Sequence, residues 1–172
     1  MTGPPVSDHS RARAQTEGER IAIEIDNALA GDAWHGPSLN ELLQDVTYED
    51  AARRPIPSAH NICELALHIT SWANIARRRL TGGSVEPEEG EDWPIPGAIS
   101  ETTWTAARLA LAESHNRLRE VVAGLSDEDL ARNVPKGERS VANMLHGVTQ
   151  HDAYHGGQIA ILKRAIGAPA RK

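Results

Sequence analysis

The sequence contains no phenylalanine, and its 172 residues include only four tryptophans and two tyrosines. The hydrophobic core must therefore be built mainly from Leu, Ile, Val and Ala, with the tryptophans as large packing anchors. Because Leu and Ala are among the strongest helix formers, this composition favours an all-α protein. A chain of this length is most simply one domain with a core of its own.

Cysteine is almost absent as well. Because Cys63 is the single cysteine, no internal disulfide can form, which suits a reducing compartment, and we expect its thiol to be buried and structural. No apolar run approaches the roughly 20 residues of a membrane-spanning helix, and the first fifteen residues lack the apolar stretch of a signal peptide. The sequence therefore predicts a cytoplasmic protein without a membrane partner.

The chain also lacks an excess of positive charge, since its formal net charge is −6 at pH 7. Such a chain has no broad positive field with which to neutralise nucleic-acid phosphates. The one dense basic run, Arg77 to Arg79, is better explained as a solvated helix end, where cations are favourable. The charge balance thus disfavours DNA or RNA as a partner.

Apolar residues recur at intervals of three and four along four long segments, which predicts four amphipathic helices. The predicted helices run from about Thr16 to Ala30, Ser58 to Leu80, Glu101 to Gly124 and Ser140 to Ile166. Short helices are predicted after the capping residues Ser38, Thr47 and Ser126. Residues 1–15 show no such periodicity and are interpreted as a mobile tail, and residues 16–172 as one domain. The absence of a strand pattern predicts an all-α four-helix bundle with short connecting helices.

The segment GGSVEPEEGEDWPIPG, residues 82–97, is acidic and rich in proline and glycine, which predicts a long connection and not a strand. Connections of this length without secondary structure are often functional. Trp93 in this segment and Trp72 before it are candidates for the mouth of a pocket. In a chain without phenylalanine, however, a tryptophan is more often an ordinary core residue.

Two histidines interrupt the apolar stripe of the last predicted helix. His151 and His155 are four residues apart, which places them about 40° apart on one face and about 6 Å apart along the axis. Two imidazoles in this arrangement can bind one metal ion, as in the H-E-x-x-H sequence of zinc proteases. Asp152 stands where those proteases have glutamate, and its shorter side chain argues against a protease.

A catalytic zinc site usually takes three protein ligands, so a third must come from another helix. His68 is the best candidate, because it lies one position from the buried stripe of the predicted helix 58–80. The remaining histidines fit less well by spacing: His9, His35, His60, His115 and His146. The alternative is that His68, His151 and His155 are unconnected histidines, each hydrogen-bonded in or near the core.

Two stretches carry a resemblance to a known family: RPIPSAHNICELALHITSW and MLHGVTQHDAYHGGQIAILKR. In this order they resemble the DinB/YfiT-like family of metal-binding four-helix bundles. The family's metal ligands, one histidine in the second long helix and an H-x-x-x-H in the last, correspond to His68, His151 and His155. The accompanying Y-H-x-G-Q is present as Tyr154, His155, Gly157 and Gln158.

The resemblance implies a divalent metal ion, zinc or nickel, held by the three histidines and completed by water. The family includes S-transferases that use a low-molecular-weight thiol such as mycothiol or bacillithiol, and it implies a homodimer. Such a metal would act as a Lewis acid on a thiol or on water, giving a transferase or a hydrolase for a small electrophilic substrate. The alternative function is a stress-response or interaction protein that binds metal without catalysis.

No residue is a compelling general acid or base, so the catalytic residues and the residues that bind a thiol cofactor are left unassigned. Four side chains are candidates for orienting the ligand imidazoles, although each is more often a surface or packing residue. They are Glu64, Asp152, Tyr154 and Gln158.

Overall fold

The computed structural model describes residues 15–83, 86–135 and 137–167, so the tail predicted at residues 1–15 lies outside the described residues except for Gln15. Seven helices are present in these ranges. They are α1 (Glu17–Leu29), α2 (Leu39–Leu43), α3 (Tyr48–Ala52), α4 (Ile62–Leu80), α5 (Glu101–Ala123), α6 (Asp127–Ala131) and α7 (Val141–Ile166). The all-α prediction is confirmed, because the described residues contain no strand and only one isolated bridge, between Asn133 and Ser140. None of these helices is long and apolar enough to cross a bilayer.

The four longest helices, α1, α4, α5 and α7, form the bundle. Each packs against two of the others, α4 against α5 and α7, and α1 against the same two helices, so the four surround a shared interior. The short helices α2 and α6 pack on α7, and α3 packs on α4. This arrangement allows side chains from α4, α5 and α7 to meet inside the bundle.

Side-chain caps determine where the long helices begin. Thr16, Asn61, Ser100 and Ser140 each accept a hydrogen bond from the backbone N–H three residues later. The predicted start of the second long helix at Ser58 is wrong by several residues. Helix α4 begins at Ile62 because Asn61 and Glu64 form a reciprocal capping box, with each side chain bonded to the other residue's backbone N–H.

Two apolar clusters fill the interior, one toward each end of the bundle. The first contains Ile69 of α4 and Ile159 of α7, and the second contains Ala73 of α4 and Val148 of α7. The thiol of Cys63 is buried in the first cluster, as predicted. Between the clusters lies a polar layer, in which five side chains are at least 95% buried. These are His68, Ser114, His115, Asp152 and His155.

Candidate metal centre

Helices α4 and α7 bring three histidines together at the edge of this polar layer. His68 comes from the middle of α4, and His151 and His155 follow each other by one turn on α7. The Nε2 atoms of His68 and His151 are 2.9 Å apart. One ligand atom from each of the three rings lies within 4.8 Å of the others.

His68 is held by the long connection between α4 and α5. Its Nδ1 lies 2.6 Å from the backbone oxygen of Asp92, which can only accept, so Nδ1 carries the proton. The Nε2 atom of neutral His68 therefore presents a lone pair toward His151. The carboxylate of Asp92 accepts a hydrogen bond from the indole of Trp72 at 2.7 Å, which holds this part of the connection against α4.

The indole of Trp93 lies between two histidine rings. Its centroid is 3.7 Å from that of His68 on one face and 3.7 Å from that of His60 on the other, and both pairs of planes are within 8° of parallel. The stack restricts rotation of the His68 ring about its Cβ–Cγ bond. The connection 82–97 thus contributes two contacts to the site, one from a carbonyl and one from an aromatic face.

His155 is oriented by its own helix. Its Nδ1 lies 2.7 Å from Oε1 of Gln158, one turn later, so that Nδ1 donates and Nε2 is left with a lone pair. Burial lowers the pKa of His155 to about 4 and also lowers the pKa of His68, because both rings are largely removed from water. The rings of His68 and His155 are therefore neutral at pH 7, which is the form that binds metals.

The third histidine, His151, lies beside the carboxylate of Asp152. Nδ1 of His151 is buried without a hydrogen-bond partner, and the nearest carboxylate oxygen, Oδ1 of Asp152, is 3.9 Å away and equally without a partner. The other oxygen of Asp152 is 3.1 Å from Nε2 of His115 on α5. Spacing along the sequence had indicated no partner for His115, since this contact joins residues on two different helices.

The donor set fits a divalent cation. Two nitrogen lone pairs at 2.9 Å repel each other unless a proton or a cation lies between them. Three imidazole nitrogens are suitable ligands for zinc, nickel, copper or iron. The arrangement can therefore bind a metal ion between α4 and α7, and the chemistry of the ligands does not select one of these metals.

The comparisons with known proteins identify the family. The sequence model of the DinB superfamily matches residues 33–159, which is more than half of the chain. The chain belongs to the DinB superfamily. No curated protein and no solved structure gives a significant match. The matched region includes all three histidines. Family membership and the histidine cluster are both compatible with a function in metal binding.

A groove of about 600 Å³ opens beside His151 in this DinB-superfamily protein. Trp72 and Ala76 of α4 form one wall, and Met144, Gly147 and Val148 of α7 form the other. Charged side chains also line it: Arg79, Glu86, Glu138 and Arg139. The groove thus combines an apolar lining with charges of both signs, and a small amphipathic molecule fits this combination.

The other candidate residues have different positions. Glu64 bonds Arg54 and His60 on the outside of the bundle and does not contact the three histidines, so its position is that of the surface residue which the sequence favoured. Tyr154 is 65% exposed, and its ring meets the edge of His155 at a centroid distance of 5.0 Å. Gln158 bonds the ring of His155, which is the contact that a residue orienting this candidate ligand would make. Asp92 is the residue at the site that the sequence reasoning missed.

Proposed function

We propose that the protein is a divalent-metal-dependent enzyme in which His68, His151 and His155 hold zinc or nickel. The observation that carries this proposal is the convergence of three ligand-capable ring nitrogens within 4.8 Å, with two of the rings held in the neutral tautomer that frees Nε2. Membership of the DinB superfamily supports it. The reaction is thiol-dependent S-transfer or hydrolysis of a small electrophilic substrate.

The cation would supply a Lewis acid that lowers the pKa of a thiol or of water at the site. The chain's own residues prepare the ligands: Asp92 and Gln158 fix two imidazole tautomers, and Trp93 covers the outer face of His68. The groove beside His151 would hold the substrate next to these ligands. In the transferase reaction, a sulfur–carbon bond forms as the leaving group departs with its electron pair, and the thiol proton passes to solvent.

A thiol such as mycothiol or bacillithiol is part of the transferase proposal. The homodimer and the cytoplasmic location also stay predictions. The first is tested by light scattering of the purified protein, and the second by fractionation of the source cells.

One observation favours the non-catalytic alternative, a metal-binding stress-response or interaction protein. Asp152, the carboxylate beside His151, is fully buried and paired with His115. It is therefore not available to accept a proton from a substrate in the groove. A reaction at this site would depend on the cation, the bound thiol and water.

The test combines metal analysis with an activity assay. Metal content is measured for the wild type and for His68→Ala, His151→Ala and His155→Ala. His146→Ala is the matched control, because the ring of His146 lies on the same helix but bonds Glu24 on α1. Each metal-loaded protein is then assayed for conjugation of mycothiol, bacillithiol or glutathione to monochlorobimane, and for hydrolysis of an ester and amide panel. Equal metal content in all five proteins would refute the site. Stoichiometric metal without turnover on either panel would favour the alternative function.

A further inference from the structure

The polar layer contains an ion pair that the proposed chemistry does not use. His115 of α5 and Asp152 of α7 meet across the bundle at 3.1 Å, and their side chains are 0% and 1% exposed. Burying two charged groups carries a large desolvation penalty, and apolar residues of similar size often give equal or greater stability. The pair therefore requires an explanation beyond the stability of the fold.

The contacts of His115 determine the charges of the pair. Its Nδ1 lies 2.9 Å from the backbone oxygen of Leu111, to which it must donate, and its Nε2 lies against the carboxylate of Asp152. With Asp152 ionised, both ring nitrogens carry protons and the ring is an imidazolium.

The second oxygen of Asp152 has no such partner. Among the described residues, four buried side-chain nitrogen or oxygen atoms lack a hydrogen bond, and two of them are Oδ1 of Asp152 and Nδ1 of His151. These two atoms are separated by 3.9 Å, so that a relative shift of about 1 Å would bring them to hydrogen-bond distance. Buried polar atoms without partners are rare, and two of them next to each other indicate a shared role.

We propose that Asp152 is the positioning residue of His151. Oδ1 of Asp152 accepts the proton on Nδ1 of His151, which leaves the Nε2 lone pair of His151 for the cation. His115 supplies the counter-charge that keeps Asp152 ionised and oriented. The inference rests on the metal site of the proposed function, but not on catalysis.

This assignment completes a pattern among the three ligands. His68 donates to the backbone carbonyl of Asp92, whose carboxylate is 3.4 Å from the same nitrogen, and His155 donates to a side-chain amide. His151 would donate directly to a carboxylate, and such a partner makes an imidazole a stronger ligand. The net charge of the layer is unchanged by the arrangement, because the imidazolium of His115 balances the carboxylate.

Two variants distinguish an effect of Asp152 on the position of the His151 ring from an effect on folding. In Asp152→Asn, the amide oxygen can still accept from His151 and the amide nitrogen can donate to a neutral His115, so the shape is retained and the charge is lost. In the double variant Asp152→Val with His115→Leu, the ion pair is replaced by apolar side chains and His151 loses its acceptor. Both are compared with the wild type for the zinc dissociation constant, by chelator competition, and for thermal unfolding of the chelator-treated protein.

We expect the double variant to fold with a midpoint close to that of the wild type and to bind zinc about 10–100-fold more weakly, with a smaller loss in Asp152→Asn. In a His151→Ala background, Asp152→Asn should cause no further loss, because its effect acts through His151. Equal zinc affinity in the wild type and the double variant, or an equal loss from Asp152→Asn in both backgrounds, would overturn the positioning role. Absence of zinc binding in the wild type would instead overturn the proposed metal site, and this inference with it.

A measurement on the wild type alone covers the case in which the double variant does not fold. Long-range ¹⁵N–¹H spectra of the zinc-loaded protein report which ring nitrogen of each histidine carries a proton. We expect His151 to be protonated at Nδ1 and His115 at both nitrogens. A His151 signal protonated at Nε2, or a neutral His115, would contradict the assignment.

Discussion

The rings of His68 and Trp93 are stacked with their centroids 3.7 Å apart and their planes 6° from parallel. The histidine lies in the middle of a bundle helix, whereas the tryptophan lies in the connection between α4 and α5. The contact therefore transmits the conformation of a loop to the orientation of a candidate metal ligand. This relationship gives the long acidic connection a physical role at the site.

Removal of this stack should weaken metal binding without unfolding the protein. Aromatic stacking contributes about 0.5–1.5 kcal/mol beyond burial, so Trp93→Ala should raise the zinc dissociation constant about twofold to tenfold. Trp34→Ala is the control, because Trp34 is fully exposed and distant in the sequence from both ligand helices. The two variants are compared by chelator competition. The same loss of affinity in both variants would show that the stack does not orient His68.

A side chain at Gly147 should obstruct the groove and leave the ligands intact. A Cβ atom at Gly147 or at Gly157 would meet no other atom within 4 Å, and both glycines lie inside α7, but only Gly147 lines the groove. Gly147→Leu should lower kcat/KM for bimane conjugation or ester hydrolysis about tenfold or more, while Gly157→Leu leaves it unchanged. Both substitutions should raise helix stability slightly.

Metal content serves as the check on the Gly147 variant. Zinc stoichiometry should equal that of the wild type, because the substitution does not touch a ligand ring. If Gly147→Leu retained full turnover, the substrate would not occupy this groove.

Saturating zinc should stabilise the wild type and not the ligand variants. At a free zinc concentration about 100 times the dissociation constant, binding adds about 2.7 kcal/mol to the free energy of unfolding. His68→Ala should lose most of this increment, whereas His146→Ala should retain it. Chemical denaturation with and without zinc measures the effect, and an increment of the same size in both variants would argue against the site.

The chelator-treated protein should lose stability as the pH falls from about 6.5 to about 4. Burial lowers the pKa of His155 from 6.5 to about 4 in the folded state, so in this range the unfolded chain binds a proton that the folded chain does not. His155 alone should account for about 3 kcal/mol of this loss. The raised pKa of His115 acts in the opposite sense, since its contribution is present below pH 6.5 and lost at higher pH.

The variant His155→Gln isolates the pH effect of this residue. The contribution of His115 is common to both proteins, so the difference between their unfolding free energies should depend on pH only through His155. Denaturant titrations at several pH values between 4 and 7 provide this difference. A difference that is constant over this range would mean that the folded-state pKa of His155 is not lowered.

Much of the fold follows from local regularities in the sequence. The alternation of three and four between apolar residues predicted the all-α fold and the approximate extent of the four long helices, because a helix repeats every 3.6 residues. The start of α4 differs from the predicted Ser58, because a capping box at Asn61 and Glu64 determines it. Family membership was also recognisable, because the histidines and the Y-H-x-G-Q sequence lie at fixed spacings.

The sequence by itself determined which residues share a helix face, and so it placed His151 and His155 side by side. It also made His68 the best candidate for the third metal ligand, because the spacing of apolar residues predicts which face of α4 is buried. The tertiary structure alone decided which residues lie against His68 and Asp152, whereas Gln158, which bonds His155, is one turn away on the same helix. The contact between His115 and Asp152 joins positions 37 residues apart, and that between His68 and Asp92 joins positions 24 apart. No helical period relates such residues, and only the packing of α4, α5 and α7 and the path of the connection bring them together.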